Sequence, residues 1–357
     1  MTTSKIHHFG LKRQYNNLKE QLALATHDAL KEGIFVGGPQ TEIFESWLRK
    51  ITSSAYAVVT HSGTQALEII ARYEYSQWNS TANITISTPN ITIPNLTYPA
   101  TLNAFMSTGW TPRLVDVDKN GLMDYTDDED IFGPRSCFVG LYGATPDRTF
   151  DHRVIVDGAQ HWLADPANIG MAMAISFDPT KNLNASGNGG AIVTDNLDIY
   201  EFALNYRNNG GKHHHTPGTN SKMSELDCAH LMVRTRYIAQ WQLRRKKIRH
   251  YYLDRFENLP VRCLSRDMLF HMDQKFVVYT PENRDNLNHY LTEAGIETKI
   301  HYPYALSELP IAKNLIKPDF LSTSVMLTRG VLSLPIYPEL TDSEIEYIAD
   351  KVCEFYA

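Results

Sequence analysis

Lys181 stands in Ser176-Phe177-Asp178-Pro179-Thr180-Lys181-Asn182, just past the apolar run Met171 to Phe177 and before Gly187, Gly189 and Gly190. A lysine at such a junction can present its amine to a carbonyl. A second apolar run, Val154 to Val156, ends in Asp157, and Gln160 follows shortly after. An amine and a carboxylate at the ends of parallel strands can converge on one ligand, because ligands collect beyond the carboxyl ends of such strands. Pyridoxal 5'-phosphate (PLP) asks for this pair: its aldehyde takes a lysine Schiff base and its pyridinium nitrogen takes an acidic partner.

Other residues suit the rest of that ligand. His61-Ser62-Gly63-Thr64-Gln65 follows a predicted strand and opens a predicted helix. Small residues there expose backbone amides, and the helix end attracts phosphate; a capped helix start without a ligand is the competing reading of Gly63 and Thr64. The Ser176 hydroxyl can meet the same phosphate or bond to local backbone. Tyr98 can lie against a planar ring or pack at a rim.

These residues need a frame. Helical spacing runs from Asn16 to Lys31 and from Thr41 to Lys50. Strand-like runs at 55–60, 91–94, 113–117, 137–141, 154–156, 171–177 and 191–193 alternate with helical stretches. Alternation of this kind predicts a mainly parallel, helix-covered sheet, an α/β fold. A long charged helix is expected over 224–256, with Arg244-Arg245-Lys246-Lys247 on a solvated face. A strand at 275–279, a helix at 284–293, a strand at 298–301 and a helix at 342–355 then predict a small α+β unit. Two domains are expected, 1–235 and 236–357, in keeping with a chain of 357 residues.

Composition excludes other classes. The formal charge of −6 gives no basic field for nucleic acid, and no apolar run is long enough to cross a bilayer. The four cysteines lack metal-ligand spacing and the start of the chain lacks an apolar export core, so a cytoplasmic protein with free thiols is expected. His213-His214-His215 is read as a solvated or substrate-side loop, and no metal site is expected.

As a set, the motifs resemble the DegT/DnrJ/StrS family of sugar aminotransferases, PLP enzymes of the aspartate-aminotransferase-like fold (fold type I). The resemblance covers nearly the whole chain. It rests on Gly38-Pro39 with Phe44-Glu45, Ser62-Gly63-Thr64, the Pro94 to Ala104 segment, Asp157-Gly158-Ala159-Gln160 and Ser176 to Leu183. Gly218 to Leu226, His301-Tyr302-Pro303 and Leu332 to Pro335 complete it. Three departures stand out: Lys222 replaces a common arginine, the segment between Gln160 and Ser176 is short, and 83–90 lacks the usual approach to its strand.

The resemblance implies that Lys181 carries the cofactor, Asp157 keeps the ring nitrogen protonated, Gln160 meets the phenolic side and Tyr98 stacks on the ring. Gly63, Thr64 and Ser176 would surround the phosphate, joined by Asn220 from a second subunit of a homodimer with shared sites. An amino acid, expected to be glutamate, would leave its nitrogen as pyridoxamine 5'-phosphate, and a nucleotide-linked keto sugar would collect it. His301, Arg207 and Lys222 are substrate-side candidates, with Lys212 beside them; ordinary surface charge is the competing reading of the cations. The choice of sugar, nucleotide and ring carbon would rest on loops such as 210–218. Two alternatives remain at this point: a PLP-dependent sugar dehydratase, against which Lys181 argues, and a non-catalytic PLP-binding regulatory protein.

Overall fold

The computed structural model describes residues 5–81, 89–123, 135–146, 149–214, 216–264, 266, 270–315 and 321–357. Most of the departure at 83–90, and His215, lie outside them. Two helices open the chain: α1 (Leu11–Leu30), which buries Leu18, Leu22 and Ala29, and α2 (Pro39–Thr52), which buries Phe44 and Leu48. Completely burying apolar side chains of this size contributes roughly 1.5–3 kcal/mol each.

The α/β unit follows as β1 (Tyr56–Thr60), α3 (Gly63–Thr81), β2 (Asn90–Pro94), α4 (Pro99–Met106), β3 (Thr111–Val115), β4 (Cys137–Val139), β5 (Ile155–Asp157), β6 (Ala172–Ser176), β7 (Gly190–Thr194) and α5 (Leu197–Tyr206). One sheet has the order β1-β7-β6-β5-β4 and a second pairs β2 with β3. A parallel bridge from Thr92 to Ser136 and the bond from Thr92 N–H to the Arg135 carbonyl (2.9 Å) lead from one to the other. Pairing is parallel from β3 across to β6 and antiparallel only around β7, so the sheet is mainly parallel, as the alternation predicts. The strands β4, β5, β6 and β7 are buried at every position, the signature of a sheet covered on both faces.

Register decides where the chemistry sits. Gly190 pairs with both Thr60 of β1 and Ser176 of β6, so those two strands end side by side at one edge. The carboxyl end of β5, Asp157, lies at that edge too.

The expected long helix is two: α6 (Glu225–Thr235) and α7 (Ile238–Arg255). The ladder tightens where Tyr237 N–H bonds to the Arg234 carbonyl (3.0 Å). There the Tyr237 ring stacks on Trp241 and its hydroxyl exchanges hydrogen bonds with Gln21 of α1. The segment thus breaks without a proline, at a residue held by tertiary contacts. Nor is the basic run a purely solvated face. Lys246 and Lys247 are exposed, but Arg245 is buried and donates to the Ile336 carbonyl (2.6 Å), and Arg244 pairs with Asp342 (2.6 Å).

The remainder is β8 (Arg262–Cys263), β9 (Phe276–Tyr279), α8 (Arg284–Glu293), α9 (Ser322–Gly330), β10 (Val331–Leu334) and α10 (Asp342–Tyr356), with the three strands in the antiparallel order β10-β9-β8. The strand expected at 298–301 is only a single bridge, Lys299 to Ser333. Ile6, Ile248 and Tyr252 share a core with β9, β10 and α10, whereas Ile238 and Trp241 pack with the larger unit, so α7 takes part in both. Among the described residues no helix is long and apolar enough to cross a membrane.

Candidate active site

A cleft of about 410 Å³ lies over the strand edge where Thr60, Ser176 and Asp157 end. Its wall includes Gly63, Thr64, Tyr98, Asp157, Gln160, Ser176, Lys181 and His301, eight of the residues singled out in the sequence. Lys181 is carried on a tight turn in which its own N–H bonds to the Asp178 carbonyl (2.9 Å) while the Asp178 carboxylate caps the Thr180 N–H (2.9 Å). Among the described residues its ammonium has no hydrogen-bond partner. Burial pushes the Lys181 amine below the usual lysine range, opposed by the charges of Asp157 and Asp178. It is therefore closer to a nucleophile than a surface lysine is.

Asp157 is buried. Its Oδ2 accepts from the Thr101 hydroxyl (2.8 Å) and its Oδ1 from the Ala159 N–H (3.2 Å). Burial raises its carboxyl above the usual range, while the Thr101 and Ala159 bonds and the Lys181 charge act in the other direction. Gln160 is clamped: its Oε1 accepts from the Tyr142 N–H (2.9 Å) and its Nε2 donates to the Tyr302 hydroxyl (3.1 Å).

The helix start is built by contact. Gly63 opens α3 against Ser176, where a Cβ on Gly63 would stand 2.6 Å from the serine Cβ. Only glycine lets the first-turn amides of a 19-residue helix approach the Ser176 hydroxyl this closely. Tyr98, 57% exposed, precedes Pro99 at the start of α4 and leans on Tyr302 at 5.7 Å between ring centres. His301 is fixed through Nδ1 to the Ser333 hydroxyl (2.9 Å), and burial holds its imidazole down at about 2.

Four predicted residues do not line this cleft, and one of them, Lys212, is exposed on its loop. Arg207 pairs with Glu45 (2.8 Å) and the Val59 carbonyl (2.6 Å), tying α5 to α2 and β1. Lys222 donates to Asn208 Oδ1 (2.8 Å), and Asn220 is exposed on the loop bridged to Asn208. Conversely, the cleft includes Phe9, Thr101, Lys275 and Tyr302, to which the sequence reading gave no role. Thr101 and Tyr302 lay inside quoted motifs. Lys275 had a cue of its own, a lysine at the edge of an apolar strand. Phe9 carried no local signal. Among the described residues no group of three or more His, Cys, Asp or Glu side chains is placed to hold a metal ion.

A half-buried amine, a buried carboxylate and a helix start around one cleft define an α/β protein equipped for a phosphorylated carbonyl ligand. The chain belongs to the DegT/DnrJ/EryC1/StrS aminotransferase family, whose sequence profile matches residues 16–135 and 158–353. It is 29% identical to the dTDP-3-amino-3,4,6-trideoxy-alpha-D-glucose transaminase of Streptomyces venezuelae, covering 99% of this chain and 97% of that one. It is 30% identical to the erythromycin biosynthesis sensory transduction protein EryC1 of Saccharopolyspora erythraea, over 95% and 96% of the two. Among solved structures, S. venezuelae DesV in complex with a ketimine intermediate superposes with a TM-score of 0.88 at 28% identity, over 99% of both chains.

Proposed function

We infer that this chain is a PLP-dependent aminotransferase that moves an amino group from an amino acid, glutamate, to a nucleotide-linked keto sugar. One observation carries the reading: an unpartnered, half-buried lysine amine shares a cleft with a buried carboxylate, beside a helix start that only glycine can bring against Ser176. The residues fit the cofactor end to end. Asp157 suits the ring nitrogen, Gln160 the phenolic side, Tyr98 the ring face, and Gly63, Thr64 and Ser176 the phosphate. The transaminase name of the S. venezuelae relative supports the sugar substrate.

When bound, PLP supplies an electrophilic carbonyl and an electron-withdrawing ring. Lys181 would hold that carbonyl and, when its amine is free, is the base placed to take a proton from the donor's Cα. Asp157 would keep the ring nitrogen protonated, with Thr101 and Ala159 orienting its carboxylate. The clamp of Tyr142 and Tyr302 stops Gln160 from rotating away from the cleft. Residues 1–235 carry the cofactor in this reading and 236–357 form the smaller unit, joined through α7.

Asn220, exposed and away from its own cleft, suits a phosphate in a second copy of the chain, which makes the active form a homodimer; Lys222 on the same loop suits the substrate there. The four cysteines are unpaired, in keeping with a cytoplasmic protein. The EryC1 name keeps a regulatory reading in view. Adding glutamate to the coloured holoprotein separates the two: an aminotransferase loses the visible band and releases 2-oxoglutarate, and a regulator keeps its colour. Lys181→Ala is expected to abolish amino transfer; full turnover in that variant would contradict the assigned role.

A further inference from the structure

Lys275 immediately precedes β9 and faces the cleft from the smaller unit. Only 6% of it is exposed. Its own N–H bonds to the Tyr142 carbonyl (3.2 Å), and Tyr142 N–H in turn donates to Gln160, so the Lys275 backbone is tied to the segment that holds Gln160. Among the described residues its Nζ has no hydrogen bond or ion pair; its recorded contact is the Phe9 ring, 5.9 Å from the centroid. The other groups around it bring little negative charge. Among the described residues Lys181 and Arg245 repel it, Asp178 opposes them, and His8 and His301 are held down at about 3 and about 2 and so are neutral.

A buried amine with no partner is costly unless a ligand supplies one. We propose that Lys275 is the cation that receives a carboxylate of the small amino-acid donor. The inference rests on the aminotransferase reading. The phosphate end of the cofactor is already served by α3 and Ser176 in this reading. The donor must bring its Cα to Lys181, whose charge is felt at Lys275, so a short acid places its carboxylate within this same recess. A nucleoside diphosphate is the other anion at hand, but a side chain this enclosed suits a compact carboxylate better than a large hydrated diphosphate. Burial and the neighbouring cations push the Lys275 amine down to about 7, so carboxylate binding is accompanied by proton uptake near neutral pH.

The test is calorimetric titration of the holoprotein with maleate, a dicarboxylate that cannot transaminate, in buffers of different ionisation enthalpy, beside a separate titration with dTDP. Wild type should bind maleate and take up a proton. Lys275→Gln and Lys275→Met should each lose about 10- to 100-fold in maleate affinity, the scale of one hydrogen bond to a charged group, together with the proton uptake. Lys275→Arg should restore binding without proton uptake, and dTDP affinity should stay within about twofold throughout. Unchanged maleate affinity in the Gln and Met variants overturns the proposal, as does a loss confined to dTDP, which would assign the amine to the nucleotide. The visible band of bound PLP is read on the same samples. Its absence in wild type defeats the cofactor reading, while the maleate titration still decides the role of Lys275.

Discussion

Thr101→Val removes one hydroxyl and keeps a β-branched side chain. That hydroxyl donates to Asp157 Oδ2 at 2.8 Å in a buried setting. A hydrogen bond to a charged group contributes about 1.5–3 kcal/mol, roughly 10- to 150-fold in an equilibrium constant. The sign follows from the site. Burial already raises the Asp157 carboxyl, and Thr101 is the first of the groups that oppose it. Without the hydroxyl the carboxyl keeps its proton to higher pH, and a neutral carboxyl is a poor partner for a protonated ring nitrogen. Titrating apoprotein with PLP, followed by visible absorbance across a pH series, should show affinity about tenfold or more weaker at neutral pH. The acid limb of the profile should move to higher pH, and Thr101→Ser should recover most of the loss. A Val variant whose affinity and profile superimpose on wild type refutes the pairing of Thr101 with a charged Asp157.

Three further outcomes are expected. Gly63→Ala places a methyl 2.6 Å from the Ser176 Cβ, so α3 must back away from β6; overpacking of this kind costs about 1–3 kcal/mol and should weaken PLP binding, read in the same titration. Arg207→Ala leaves the Glu45 carboxylate with the Val59 N–H (2.9 Å) but without its ion-pair partner and should lower stability by about 1–3 kcal/mol in a denaturant titration while turnover per folded molecule is kept; a raised KM for the sugar with unchanged stability would restore a substrate role to Arg207. In apoprotein, Lys275→Met should melt higher than wild type. The folded amine is pushed down to about 7 and the unfolded one titrates near the ordinary lysine range, so the unfolded chain binds more protons between those values. The cost of Lys275 is therefore full below about pH 7 and fades as pH rises, and a gap in melting temperature that is constant with pH contradicts this.

Much of the frame was legible because its signals are local. Strands buried on both faces read as continuous apolar runs, and Lys181, Asp157 and Gln160 announce themselves by standing just past such runs. What the sequence hid is long-range. Thr101 meets Asp157, and Gln160 meets Tyr302, across separations that no spacing rule addresses. At the break between α6 and α7 Tyr237 meets Gln21, far back in α1, and the buried Arg245 meets the carbonyl of Ile336. Arg207 looked available for substrate because the sequence does not reveal that Glu45 lies beside it.

The central claim is that the Lys181 amine, and no other, holds the cofactor carbonyl. Lys275 makes this a discriminating question, since it is a second buried amine in the same cleft. Borohydride reduction of the PLP-loaded protein followed by peptide mass mapping answers it directly. The phosphopyridoxyl mass is expected on the peptide containing Lys181 and not on the peptide containing Lys275; the label on Lys275, or on any lysine outside the cleft, would overturn the assignment.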